Sequence, residues 1–440
     1  MDDYRLIADQ VAARIADGRL RPGDRLPPQR RFAREHGIAV STAARVYGEL
    51  IRRGLAVGEV GRGTFVRAAT ADGHVPTEPA RVPVDLEINF PLVPEQAALL
   101  AESLAGMLRP DVLAATLPPT GASGTTAARE AAAALLSRPG WTPAPARVLF
   151  AGNGRQAIAA ALVALTSPGD RIGVEELTYP IVKGIAARLG VTLVPLAVDE
   201  HGLIPAAIRA AGPLRALYVQ PTLHNPLGVT MPDRRRAEIA AILNDLDMHA
   251  VEDGIYTFLY EDPTPLAAYA PDRVIYADSL SKRVAPGLTA GFLVTPPALT
   301  DRVAAALRSG GWTAQHFALA AATRWLTDGT VARLGDLKRR DAAERQRILR
   351  ERLDGFSLQA DPRAYHCWWR LPKPWRADTF VAAAARRGIA VTPGAAFATT
   401  PGQSPNAVRL ALAPRLELLA PALETLAALA ATAPEDTEIH

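Results

Sequence analysis

RVIYADSLSKR, residues 273–283, is a short apolar run that ends on an acid, two hydroxyls and a lysine. A run of this length, rich in β-branched and aromatic residues and bounded by polar ones, reads as a buried strand. Six more runs share the character: 147–151 RVLFA, 171–175 RIGVE, 191–196 VTLVPL, 215–220 RALYVQ, 248–253 MHAVED and 290–295 AGFLVT. Helical patterns separate most of them, as at 155–166 and 232–246. Strands that alternate with helices predict a mostly parallel, doubly wound, seven-stranded sheet, and so an α/β fold. The ligand site of such a sheet lies outside the carboxyl ends of its strands. The residues that follow each strand therefore carry the chemistry.

The run at 147–151 passes through Gly152-Asn153-Gly154-Arg155-Gln156 straight into a helix, whose free N–H groups suit a phosphate. Tyr179 follows the second strand and offers a ring for stacking. The fourth strand leads to Gln220 and then Asn225-Pro226-Leu227-Gly228, the fifth to Asp253-Gly254-Ile255-Tyr256, and the sixth to Ser279-Leu280-Ser281-Lys282. Singly, each is an ordinary turn or a satisfied polar pair. Together they supply a phosphate cradle, a stacking ring, an amide, a carboxylate, a phenol and a primary amine at neighbouring strand ends. Those are the needs of pyridoxal 5′-phosphate (PLP). Lys282 is then the amine that forms the aldimine and the catalytic residue of any turnover. Asp253 keeps the pyridine nitrogen protonated, and Asn225 and Tyr256 bond the ring hydroxylate. The amides at Asn153, Gly154 and Arg155, with Ser279 and also Arg283, are the candidates for the phosphate. Lysine is scarce here: Lys183, Lys282, Lys338 and Lys373 stand against 45 Arg. A chain that uses arginine as its general cation keeps lysine where a removable proton matters.

The 440 residues allow two to four domains, and 49% hydrophobic with 21% charged residues excludes a largely disordered chain. No apolar run approaches the ~20 residues of a membrane helix, and the N-terminus MDDYRLIADQ lacks a secretory pattern. Cys367 as the single cysteine excludes an internal disulfide framework and a cysteine-rich zinc site. The histidines show no metal-ligand spacing. The cytoplasm is the expected compartment and no metal is expected.

Charge is uneven. Residues 1–67 hold 13 Arg and 8 acidic residues, a charge of +5, whereas the remainder carries −1. That asymmetry suits a partner with phosphates. Within this segment, residues 4–17 place Leu6, Ile7, Val11 and Ile15 at helical spacing, and Gly18 closes the helix. A turn with Pro22-Gly23 leads to a second helix at about 28–36. A third follows at about 40–53, with Val46, Leu50 and Ile51 as its buried stripe beside Tyr47. LAVGEVGRGTFV, residues 55–66, then reads as a hairpin. Three helices and a hairpin predict a winged helix-turn-helix whose third helix enters the major groove of double-stranded DNA. Ser41, Thr42 and Arg45 lie on its exposed face, and Arg62 sits at the hairpin tip.

The string Gly18-x-Leu20-x-Pro22-Gly23-x-Arg25-Leu26-Pro27, with Tyr47-x-x-Leu50 and Gly61-Arg62-Gly63-Thr64-Phe65-Val66, resembles the DNA-binding domain of the GntR family. The resemblance implies that Arg25, Arg30, Arg45, Arg62 and Gly63 lie on the DNA side. Val40 and Gln29 depart from the Arg and Ser usual in that family. Residues 85–430 resemble fold-type I, class I/II aminotransferases, PLP-dependent enzymes, through Asn225-Pro226-x-Gly228, Asp253-x-x-Tyr256 and Ser279-x-Ser281-Lys282. Gly388–Phe397 and Val408-Arg409-Leu410 match the segment that ends in the arginine clamping a substrate carboxylate, which assigns Arg409 by resemblance. Thr289 stands where the class has an Arg on the cofactor phosphate, and Pro119 where it has a Tyr. The two halves in this order resemble the MocR/GabR class of regulators.

The expected organisation is a winged helix-turn-helix at 1–67, a linker at 68–84 and an aminotransferase-like domain at 85–440. The last divides into a large subdomain at about 120–300 and a small α+β subdomain at about 305–440. The expected function is a PLP-dependent transcriptional regulator, a homodimer that binds DNA and senses PLP, an amino acid or amine, or both. Two rivals stand beside it: a working aminotransferase with a DNA-binding head, and a regulator whose large domain is only a dimer scaffold.

Overall fold

The computed structural model describes residues 4–16, 19–20, 24–53, 55–59, 63–66, 82–400 and 403–432. The N-terminal part consists of α1 (Tyr4–Ala16), α2 (Gln29–Glu35) and α3 (Val40–Arg52), then a hairpin of β1 (Ala56–Glu59) and β2 (Gly63–Val66). One apolar core holds them together. Ala8 and Val11 of α1 meet Phe32 of α2, Val46, Tyr47 and Leu50 of α3, and Val66 of the hairpin. Gly37 turns the chain between α2 and α3 at φ +64, a conformation that costs other residues a steric clash.

Two apolar positions expected in this core face solvent: Leu6 is 57% exposed and Ile51 44%. A helix turns about 100° per residue, which carries Leu6 and Ile51 off the stripes set by Ala8 and Leu50. Gly18, Pro22, Gly23, Gly61, Arg62 and the linker as far as residue 81 lie outside the described residues.

After a short strand, β3 (Val84–Asp85), the chain builds a large sheet from β4 (Val148–Ala151), β5 (Arg171–Glu175), β6 (Thr192–Leu196), β7 (Ala216–Val219), β8 (His249–Asp253), β9 (Val274–Ser279) and β10 (Gly291–Val294). All seven coincide with the expected runs. Their spatial order is β4-β10-β9-β8-β7-β5-β6. β10 runs antiparallel to both neighbours and the other pairs are parallel. Apolar side chains cover both faces. Phe150, Val219, Tyr276 and Trp325 belong to one core, and Leu149, Ile172, Tyr218 and Val251 to the other. That double burial is why the strands read as unbroken apolar runs rather than alternating ones. Two helices start directly at strand ends: α4 (Gly154–Leu165) after β4, and the single turn α5 (Leu280–Arg283) after β9.

The C-terminal part comprises α6 (Thr330–Arg352), β11 (Ser357–Gln359), β12 (His366–Arg370), α7 (Ala377–Arg386), β13 (Ile389–Ala390), β14 (Thr392–Pro393), β15 (Ala407–Ala411) and α8 (Leu416–Ala431). β11-β12-β15-β14 form an antiparallel sheet. Cys367, Trp369, Leu410 and Leu423 fill the core beneath it. β13 pairs in parallel with β3, and Leu86 joins the same core.

The expected start of the small subdomain near 305 is corrected by the packing. Val303 and Leu307 pack in one core of the large sheet, and Leu319, Trp325 and Leu334 in the other. The 23-residue α6 carries the chain across and contributes to the C-terminal core only from Ile348. Charge ties the N-terminal head to the C-terminal part. Asp9 pairs with Arg376 and lies 2.7 Å from Arg53, which is 3.6 Å from Asp378. Among the described residues no helix is long and apolar enough to cross a membrane.

Candidate functional site

β4, β7, β8 and β9 end beside a cavity of about 500 Å³. Asn153, Gly154, Arg155, Tyr179, Asn225, Asp253, Tyr256, Ser279, Lys282 and Arg409, assigned by sequence to the cofactor and to a substrate or effector carboxylate, line this one cavity, and the phosphate candidate Arg283 does not.

Lys282 stands on α5, immediately after β9. Among the described residues no carboxylate lies within ion-pair distance of its amine. Nζ sits 3.6 Å from the centre of the Phe90 ring and donates to the carbonyl of Asn89. Enclosure above all, then the charges of Arg409, Arg155 and Lys338, hold its ammonium well below the usual lysine range, with Asp253 opposing. An amine so depressed is available as a nucleophile.

A second lysine supports the first. Lys338 of α6 is fully buried, and its Nζ donates to the carbonyls of Lys282 and Val284 at 2.8 Å each. Burial pushes its pKa down from 10.5 to about 7. Between those two values the unfolded chain holds a proton that the native protein lacks, so native stability rises with pH through that window. Below pH 7 both states are protonated and the cost of burying the charge is complete. Urea unfolding at pH 7 and pH 9.5 is expected to show a rise on the order of 2 kcal/mol for wild type. Lys338→Met is expected to lose that part of the rise, and identical pH dependence in the two proteins would refute the assignment.

Asp253 closes β8. Its Oδ2 accepts from the Tyr218 hydroxyl at 2.7 Å and its Oδ1 from the Ile255 amide at 3.1 Å. Burial raises its pKa to about 6, against the pull of those two hydrogen bonds. It is an anion at neutral pH that gains by facing a cation. Gln220 Oε1 accepts from the Asn225 amide at 2.8 Å, which fixes the turn after β7. Asn225 Oδ1 is buried without a hydrogen-bond partner among the described residues. The Tyr256 hydroxyl accepts from Asn89 Nδ2 at 2.9 Å.

The start of α4 forms another wall. Asn153 caps that helix, its Oδ1 accepting from the Gln156 amide at 3.0 Å. The Asn153 side chain is thereby engaged, and the backbone is what it offers a ligand. A Cβ on Gly154 would come within 3.0 Å of Ser279 Oγ, so glycine lets α4 start close against the end of β9. Ser279 Oγ donates to Ser281 Oγ at 3.1 Å, and Ser281 and Thr289 share a hydrogen bond of 3.0 Å. Arg155 Nε donates to the Tyr179 hydroxyl at 3.3 Å. Arg283 does not join them. It is buried outside the cavity lining, with Nη2 2.7 Å from Asp278. Arg155 is therefore the cation of this wall.

Arg409 of β15 closes the cavity from the C-terminal part. Its Nη2 donates to the Glu87 carbonyl at 2.8 Å and to Thr392 Oγ1 at 3.1 Å, while its Nε is buried without a hydrogen-bond partner among the described residues.

Sequence reasoning missed the segment 87–90 and Lys338. Pairing of β3 with β13 draws Glu87, Asn89 and Phe90 to the cavity, and nothing local in LEINF announces that partner. For Lys338 a signal existed, since it is one of only four lysines.

Most of the expected DNA-facing residues that are described sit on the head's surface. Ser41 is exposed and Thr42 half-buried in the first turn of α3, and Arg25, Arg30 and Arg45 are exposed. The Arg45 guanidinium lies 4.1 Å from the centre of the Tyr4 ring, which steadies it against α1. Gly63 opens β2, and Arg62 lies outside the described residues.

Comparison with known proteins gives the family of each part. The family model of aminotransferase class I and II matches residues 86–426, and that of bacterial regulatory proteins, gntR family, matches residues 3–66. The HTH-type transcriptional regulator YdeF of Bacillus subtilis is 29% identical over 415 residues, covering 93% of this chain and 90% of its own. The HTH-type pyridoxine biosynthesis transcriptional regulator PdxR of Corynebacterium glutamicum is 28% identical over 408 residues, 88% of this chain and 86% of its own. Among solved structures, Pyrococcus horikoshii kynurenine aminotransferase in complex with PMP superimposes with a TM-score of 0.72 at 21% identity. It covers 82% of this chain and 92% of its own, and shares the fold.

Proposed function

Because the chain belongs to the class I and II aminotransferase family and carries a GntR-type DNA-binding domain at its N-terminus, we propose that it is a PLP-dependent transcriptional regulator. In this reading the cavity holds PLP and admits an amino acid or amine as effector. The observation that carries it is the meeting of Lys282, Asp253, Asn225 and Arg409 in one cavity, on a chain that begins with a DNA reader.

The residues fit the cofactor. Among the described residues the cavity offers an amine without an acidic partner, a buried carboxylate, an amide oxygen lacking a hydrogen bond, and a helix start flanked by hydroxyls. Bound there, PLP supplies an aldehyde that condenses with amines and a ring that withdraws electrons. Lys282 is the residue for covalent attachment. Asp253 neutralises a protonated ring nitrogen. Asn225 and Tyr256 take the ring oxygen. The amides at the start of α4, with Ser279 and Arg155, take the phosphate. Arg409 keeps an unpaired Nε for an effector carboxylate, for which a guanidinium fork is suited.

The working unit in this reading is a homodimer, since a two-fold protein reads two half-sites. Effector binding shifts the C-terminal part and, through Asp9, Arg53, Arg376 and Asp378, the head attached to it. Coupling of that kind amounts to about 1–3 kcal/mol and is reciprocal. The test is DNA affinity measured with PLP alone and with PLP plus a panel of amines, in wild type and Arg409→Ala. Wild type is expected to change affinity about 5- to 150-fold with its effector, and Arg409→Ala to lose the response to carboxylate-bearing effectors. Equal DNA affinity in every condition, with brisk turnover of an amino acid and a keto acid, would favour an aminotransferase instead.

A further inference from the structure

Three acidic residues line the cavity. Asp278 is paired with Arg283 at 2.7 Å, and Asp253 accepts hydrogen bonds from Tyr218 and Ile255. The third, Glu87, is different. Its carboxylate takes no hydrogen bond and no ion pair from any described residue, although it is half-buried. Its placement is nonetheless built. Asp85 Oδ1 accepts from the amides of Glu87 and Ile88 at 2.7 and 3.0 Å, which tightens the turn after β3. The Glu87 carbonyl is held by Arg409 at 2.8 Å. A carboxylate with no hydrogen bond or ion pair among the described residues, under only the longer-range pull of Arg409, is thus fixed in the backbone unit that touches the guanidinium read here as the effector's carboxylate clamp. Enclosure and the neighbouring Asp85 raise the Glu87 pKa, against the pull of Arg409. A half-enclosed carboxylate of this kind gains most from a ligand that brings a positive group to it.

Resting on the reading of this cavity as an effector site, we propose that its effector is an amino acid with a second cationic group, and that Glu87 selects it. One amine serves the chemistry at Lys282, the carboxylate docks on Arg409, and the second ammonium or guanidinium pairs with Glu87. A neutral side chain leaves Glu87 unpaired and an acidic one opposes it, so discrimination works by repulsion as well as attraction.

The test titrates the PLP-loaded protein with L-ornithine and L-lysine against the length-matched L-norvaline and L-norleucine, and against L-glutamate. Binding is read from the visible spectrum and by calorimetry. The basic compounds are expected to bind about tenfold tighter or more than their neutral counterparts, with L-glutamate weakest. In Glu87→Gln the ratio of basic to neutral affinity is expected to fall close to one. Equal affinity for basic and neutral amino acids in wild type would overturn the role of Glu87 and leave the effector site standing. A preference that persists in Glu87→Gln would do the same. A spectrum and a heat signal that no amino compound changes would overturn both.

Discussion

Lys282→Ala is expected to leave the chain unlabelled when the protein is incubated with PLP, reduced with borohydride and digested. Wild type is expected to carry one phosphopyridoxyl group on the peptide containing Lys282 and to show a visible absorption band that the variant lacks. The physical case rests on the amine's surroundings. Enclosure and three nearby cations favour its neutral, nucleophilic form, and it lines the cavity that also holds Asp253 and Asn225. The other three lysines are poor competitors. Lys338 is buried with its amine bound to two carbonyls, Lys183 donates to the carbonyl of Ala398, and Lys373 is exposed outside the cavity lining. Four lysines make the mapping unambiguous. A label on Lys183, Lys338 or Lys373, or an unchanged band in Lys282→Ala, would place the reactive amine elsewhere.

The second large effect concerns the head. Affinity for a duplex selected from a random pool is expected to fall steeply with salt. A protein that neutralises six to ten phosphates loses about 10³–10⁵ in affinity between roughly 50 and 200 mM. Arg45→Ala is expected to cost a further ~1–3 kcal/mol on the selected sequence and less on random duplex, if the residue reads a base. A uniform loss on both would make Arg45 a phosphate contact instead. Arg45 is exposed on α3 and rests against the Tyr4 ring, so the variant removes a positioned cation without opening the core. Salt-independent binding would refute the DNA reading of this head.

The large sheet was legible because parallel strands buried on both faces leave a simple trace, a short apolar run between polar ends. Residues such as Asn225, Asp253 and Lys282 were legible for a related reason, since each lies at or within a few residues of the end of one of those runs. Partners distant in the chain were not. Asn89 meets Tyr256 across 167 positions, and no local pattern encodes that meeting. The charge of Arg283 was visible in the sequence but its engagement with Asp278, five residues earlier, was not. The start of the small subdomain was misread because amphipathic helices look alike whichever core they face. The stripe of Leu319 and Trp325 does not say that it packs against the large sheet.

The pairing of β3 with β13 joins residues 84–85 to 389–390. On the ribosome these partners emerge roughly three hundred residues apart, and pairing across such a distance comes late in folding. The head has its own core within residues 4–66, so it can be finished while the strand beside it still waits for its mate. A message cut short between codons 66 and 389 would then yield the head without a completed receptor. Such a fragment lacks Arg409 and the completed body, so in the dimer reading it would meet half-sites singly and be deaf to any effector.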